Sequence, residues 1–253
     1  GPILPLIAET GGMNAMFVDT TALREQVVDD IVNSAFGSAG QRCSALRIAY
    51  LPDDTADMLI EGIKGAMDEL QLGDPALPST DIGPVIDKDA ETTLVNYLNG
   101  LGKNAKILKR VAPEGLPEKQ TFFFPTLIEM KNIESMEREV FGPVLHVVRY
   151  DPDKLNKVAP QLEAKNYGLT LGIHSRLESF SREVRDAVKV GNTYVNRSMT
   201  GAVVGVQPFG GEGLSGTGPK AGGPHYLQRF AVERTVTVNP AAQGGDPDLL
   251  NLT

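Results

Sequence analysis

Ser34-Ala35-Phe36-Gly37-Ser38-Ala39-Gly40-Gln41-Arg42-Cys43-Ser44-Ala45-Leu46-Arg47 holds the only cysteine of the 253-residue chain. Before it, Leu23, Val27, Val28, Ile31, Val32 and Ala35 recur at three- and four-residue steps, which predicts a helix over about 22–38. After it, Leu46 to Leu51 reads as a short strand. Cys43 therefore falls in a glycine-broken turn between helix and strand, where a side chain can face a cleft. A lone cysteine is otherwise most often a small buried hydrophobe. Here Arg42 and Arg47 flank the thiol and would favour its thiolate if either reaches it.

Working outward, Ile3 to Ala8 is an apolar run that reads as a strand turning at Glu9-Thr10-Gly11-Gly12. Downstream, Thr55 is placed to cap a helix with Leu59, Ile63, Ala66, Met67 and Leu70 on one face, ended by Gly73-Asp74-Pro75. Asp87 is placed to cap a third, with Leu94, Leu98 and Leu101 inward. Strand patterns at 105–108, 126–130, 144–150, 169–174 and 192–196 alternate with helical ones near 154–165 and 177–189. That alternation predicts an α/β fold with a largely parallel sheet. Arg234 to Asn239 alternates like a strand without an obvious partner in the chain, and the residues from Ala241 read as a disordered tail.

Gly211, Gly213 and Gly216 spell G-x-G-x-x-G, but Pro208 precedes them and Thr217-Gly218-Pro219 follows. A dinucleotide fingerprint needs a strand before and a helix after. A rigid, substrate-lining loop fits better. The net charge of −8 argues against a nucleic-acid or anionic-membrane surface. No apolar run approaches the roughly 18 residues of a transmembrane helix. One cysteine excludes an internal disulfide and fits a reducing, cytoplasmic setting. No signal-peptide pattern opens the sequence, which starts mid-phrase at Gly1-Pro2-Ile3 and reads as a piece of something longer.

Glu9 and Cys43 suit a two-step chemistry. A thiolate adds to an aldehyde, hydride leaves to an acceptor, and the resulting thioester needs water activated by a general base. Backbone N–H groups near the thiol would steady the oxyanion. Taken alone, Glu9 reads as a solvated carboxylate and Glu139 as a charged helix end before a strand. His146, His174 and His225 have no ligand-like spacing, so no metal site is assigned.

Four stretches in register, Glu9-Thr10-Gly11-Gly12, Gly40-Gln41-Arg42-Cys43, Glu139-Val140-Phe141-Gly142-Pro143 and Pro208-Phe209-Gly210-Gly211, resemble the aldehyde dehydrogenase superfamily. Ala8 to Met16, Ser38 to Arg47 and Gly201 to Gly211 are most similar to its glutamate-semialdehyde (pyrroline-5-carboxylate) dehydrogenase branch, especially the bifunctional proline utilisation A proteins. The resemblance implies an NAD-dependent enzyme oxidising L-glutamate γ-semialdehyde to L-glutamate. It casts Cys43 as nucleophile and Glu9 as water-activating base. Glu139 would hold the nicotinamide ribose and Phe141 pack near the nicotinamide, while Ser44, Gly201, Ala202 and Phe209 would bind the substrate.

The same resemblance divides the chain into the end of a nucleotide-binding domain (1–10, the closing strand of a Rossmann-like unit), a catalytic domain (11–210), a return segment (211–233) and an oligomerisation strand with its tail (234–253). It places the rest of the NAD site upstream, together with an FAD-dependent proline dehydrogenase domain as partner, and implies a homo-oligomer. Two alternatives stay open: a dehydrogenase for another short aldehyde, and a non-catalytic assembly piece.

Overall fold

The computed structural model describes residues 1, 3–112, 115–116, 120–203, 205–239, 242 and 248. In chain order the elements are β1 (Ala15–Val18), α1 (Arg24–Phe36), β2 (Ile48–Pro52), α2 (Ala56–Asp68), α3 (Lys88–Asn99), β3 (Ala105–Arg110), β4 (Thr126–Met130), β5 (Val144–Tyr150), α4 (Leu155–Glu163), β6 (Tyr167–Gly168), β7 (Thr170–His174), α5 (Glu178–Ala187), β8 (Asn192–Val195) and β9 (Glu212–Gly213). Seven strands form one sheet in the order β3-β4-β5-β2-β1-β7-β8. Within this sheet every pairing is parallel except the antiparallel edge pair β3–β4, while β6 and β9 form a separate antiparallel pair, so the α/β reading with a largely parallel sheet holds.

Beside the middle strand β2 lies β1, an interior strand that the sequence reading missed. All four of its residues are buried, so it carries no polar alternation, and four residues are too few to show a period. Phe17 stacks on Tyr50 of β2 with ring centroids 4.5 Å apart, and the Tyr150 hydroxyl of β5 donates to the Val18 carbonyl at 2.7 Å. α1 packs on α2, where a Cβ on Gly62 would come within 2.9 Å of Val28 Cγ2. That absent methyl lets the two helices approach.

Several local expectations change. Ile3 to Ala8 joins no ladder among the described residues, and Ile3, Leu4 and Leu6 stand exposed. Arg234 to Asn239 likewise has no ladder, with Val236 and Val238 exposed. The tail from Ala241 lies outside the described residues apart from Ala242 and Asp248. Asp87 caps α3 as expected, accepting from the Ala90 amide at 2.8 Å. Thr55 occupies the cap position of α2, but its hydroxyl makes no cap bond, and α2 stops at Asp68, ahead of Gly73.

α1 ends in a turn, Gly37–Gly40, where Ser38, Ala39 and Gly40 adopt left-handed φ values of 57°, 54° and 64°. This places the backbone of Gly40 against that of Gly142: a Cβ on Gly40 would lie 2.1 Å from the Gly142 carbonyl oxygen.

Parallel strands enter a sheet from one end, and that fact assembles the site. Gly11–Asn14 lead into β1, Gln41–Arg47 into β2, Glu139–Pro143 into β5 and Leu169 into β7. All four entries meet at the amino-terminal edge of the strands. The loop after β8 returns to that edge, where Asn192 donates to Pro208 O at 2.9 Å and accepts from Gly210 N at 3.2 Å.

Candidate active site

Cys43 is exposed in its turn, and neighbouring backbone fixes that turn. The Asn14 amide donates to the carbonyls of Cys43 and Ala45 at 2.6 and 2.9 Å, and its oxygen accepts from Thr170 N at 3.2 Å. One buried side chain thus ties the entries to β1, β2 and β7 together. Sequence reading quoted Asn14 within a motif without seeing this; an Asn placed just before a buried strand was the available signal.

A cavity of about 520 Å³ opens at the thiol, lined among others by Cys43, Ser44, Gly201, Ala202, Gln207 and Phe209. All four residues assigned to substrate from the sequence therefore share one cavity with the cysteine. Gly201 has φ +80°, a left-handed conformation open to glycine. Phe209 is held by a two-way bridge to Ala221, with N–H···O distances of 3.0 and 2.7 Å. A separate groove of about 660 Å³ between α1 and α2 lies away from Cys43, lined by Arg24, Glu25, Asp29, Asp57 and Glu61 among others.

Glu9 lies outside that lining and is exposed. Its backbone is pinned to the glycine-rich segment: Glu9 bridges Gly216, the Thr10 amide donates to Ser215 O at 3.2 Å, and the Thr217 amide donates to Ala8 O at 3.0 Å. No helix follows Gly216 directly, in keeping with rejection of the dinucleotide fingerprint. The glycines instead let this loop close on Ala8, whose carbonyl a Cβ on Gly216 would meet at 3.0 Å.

Glu139 is in a loop, not at a helix end. One carboxylate oxygen accepts from Arg47 Nε and Nη2 at 3.0 and 2.9 Å, and the other accepts from the Gly12 amide at 3.1 Å. Burial pushes its carboxyl up, partly countered by the Arg47 charge and hydrogen bond and by the Gly12 amide. A Cβ on Gly11 would fall 1.6 Å from the second oxygen, so the carboxylate occupies space that only a glycine leaves. Phe141 is exposed beside it, its ring centroid 5.0 Å from the Arg47 guanidinium carbon.

The thiol's electrostatics correct one expectation. Burial around the sulfur pushes the Cys43 thiol up, the amides of Ser44 and Cys43 pull it back, and the negative charges of Glu139 and Glu9 raise it further. Neither arginine hydrogen-bonds the sulfur. Arg42 donates to Ser38 Oγ at 3.0 Å, and Arg47 is taken up by Glu139 and by backbone carbonyls.

Among the described residues no group of three or more His, Cys, Asp or Glu could hold a metal ion, and no helix is long and apolar enough to cross a membrane.

Residues 1–236 match the family described as the aldehyde dehydrogenase family. The chain is 53% identical over 239 residues to the bifunctional protein PutA of Salmonella typhimurium, covering 92% of this chain and 18% of that protein. A crystal structure of a bifunctional proline utilization A protein aligns with TM-score 0.89 and 56% identity over 96% of this chain and 25% of that one. A 1-pyrroline-5-carboxylate dehydrogenase from Thermus, solved with bound NAD, aligns with TM-score 0.79 and 34% identity over 88% of this chain and 43% of that one. The chain thus spans less than half the length of each of these relatives.

Proposed function

The chain belongs to the aldehyde dehydrogenase family, and on that premise we propose that it carries the catalytic residues of an NAD-dependent L-glutamate γ-semialdehyde dehydrogenase, the second step of proline catabolism. The supporting observation is the single cavity that joins the only thiol to Ser44, Gly201, Ala202 and Phe209. The Cys43 thiolate adds to the aldehyde carbon, giving a tetrahedral thiohemiacetal. NAD, when bound, supplies the hydride acceptor that leaves a thioester on the sulfur. Glu9 then takes a proton from water, and the hydroxide releases glutamate and the thiolate. Ser44 and the backbone at Gly201 and Ala202 hold the substrate carboxylate, and Phe209 packs on its methylene chain.

The residues present fit the nicotinamide end of the cofactor. The Glu139 carboxylate is held by Arg47 and Gly12, with acceptor capacity left for ribose hydroxyls. We place the adenosine and pyrophosphate contacts outside these residues, along with any FAD-dependent proline dehydrogenase partner. The division at residues 10, 210 and 233, homo-oligomerisation through 234–253 and a cytoplasmic setting belong to the same proposal. The deciding experiment is Cys43→Ser in the protein as encoded. Serine is a far weaker nucleophile near neutral pH, so dehydrogenase turnover disappears while circular dichroism is unchanged. Turnover within tenfold of the unsubstituted protein would overturn the assignment.

A further inference from the structure

Arg47 is a fully buried arginine at the amino-terminal edge of β2. Its guanidinium has five N–H donors, and the structure gives each a partner. Nη1 donates to Gly40 O at 2.7 Å and Gly142 O at 3.1 Å; Nη2 donates to Arg42 O at 3.2 Å and reaches Glu139 Oε1 at 2.9 Å; Nε donates to the same Oε1 at 3.0 Å. Its main chain is held as firmly. The Arg47 amide donates to Asn14 O at 2.9 Å, and its carbonyl accepts from both the amide and Nδ1 of His146 at 2.9 Å.

These acceptors fall into two groups. Gly40 and Arg42 belong to the turn that ends at Cys43, with Arg42 directly before it. Glu139 and Gly142 belong to the segment assigned to the nicotinamide ribose, and Phe141 lies under the same guanidinium. We propose that Arg47 is a positioning residue: one buried guanidinium holds the Cys43 turn against the Glu139–Gly142 segment, so that nucleophile and ribose site keep a fixed separation. This rests on the functional reading above. Lysine cannot replace it, because an ammonium offers three donors from one point instead of a planar fork.

The test is Arg47→Lys in the protein as encoded, with NAD affinity read by calorimetry and the NADH burst by stopped flow. Positioning predicts NAD binding weakened at least tenfold and the burst rate constant lowered at least thirtyfold. The aldehyde KM stays within threefold, since Ser44 keeps its own support from Thr170, whose hydroxyl donates to Ser44 O at 3.3 Å. A purely structural arginine would instead lower Tm and burst amplitude, leaving the NAD Kd within twofold and the burst rate constant within threefold; that result overturns the proposal. Should Arg47→Lys fail to fold, hydrogen exchange on the unsubstituted protein decides. ADP-ribose carries the ribose but no nicotinamide, and it slows exchange in 40–47 as well as in 137–142 if the clamp exists. Protection confined to 137–142 refutes it. An unsubstituted protein that makes no NADH from any aldehyde would sink the functional reading, a result distinct from an active enzyme indifferent to Arg47→Lys.

Discussion

Gly40→Ala isolates the contact on which the site's geometry turns. The new Cβ would stand 2.1 Å from the Gly142 carbonyl oxygen, where ordinary contact begins near 3.4 Å, so the two loops must part by about 1.3 Å. Overpacking of that kind costs roughly 1–3 kcal/mol. The φ of +64° adds about 1–2 kcal/mol for any residue with a Cβ. The total, about 2–5 kcal/mol, is a large fraction of a domain's usual 5–15 kcal/mol. Gly37→Ala, three residues earlier, is the matched control: nothing lies within 4 Å of its Cβ, and its φ is −52°. It should be neutral or stabilising by about 0.4–1 kcal/mol through the unfolded chain. Urea unfolding of both variants measures the difference directly. Because a misplacement of about 1 Å can cost on the order of 10²-fold in rate, Gly40→Ala should also lose about that much turnover under conditions where it remains folded. Equal urea midpoints for the two variants would show that this backbone crossing does not constrain the site.

Glu9→Gln should slow hydrolysis more than acylation, leaving an NADH burst and an acyl adduct on Cys43 visible by mass; equal loss of burst and steady state would make Glu9 a structural residue. Burial lowers His146 from 6.5 to about 4, so between those values the unfolded chain binds more protons and stability falls as pH drops. At about 1.4 kcal/mol per pH unit the loss reaches about 2 kcal/mol by pH 5, and His146→Gln should remove that part of the slope in urea midpoints between pH 7 and 5; identical slopes would refute it.

The helices and most strands were legible because each buries one side or forms a short apolar run between turn residues. The four candidate site stretches were legible through their resemblance to the aldehyde dehydrogenase superfamily; taken alone, Glu9 and Glu139 carried no such signal. Other features depend on residues far apart in sequence. Nothing in Ser38 or Ala39 announces a left-handed backbone, since neither is the residue type that prefers it. Arg47 looked like an activator of the thiol from four residues away, but its partners Glu139 and Gly142 are some ninety residues on. The two-residue strands β6 and β9 were also invisible, because they pair only after the glycine-rich loop has folded back. His146 shows the same limit. Its Nδ1 faces the Arg47 carbonyl, so that nitrogen carries the proton and Nε2 accepts from the Tyr97 hydroxyl at 2.8 Å. No local pattern encodes that tautomer.

The placement of β1 between β2 and β7 also sets a schedule for synthesis. Its neighbour β2 follows within about thirty residues, but β7 begins about 150 residues after β1 ends. At roughly 5–20 residues per second a ribosome needs about 8–30 s to cover that interval. Throughout it, the second edge of an apolar strand, Ala15-Met16-Phe17-Val18, has no ladder partner. An open apolar edge pairs readily with other chains. The nascent protein therefore passes through a window in which a fully buried interior strand keeps one adhesive edge, and crowded translation or slow codons between β5 and β7 would lengthen that exposure.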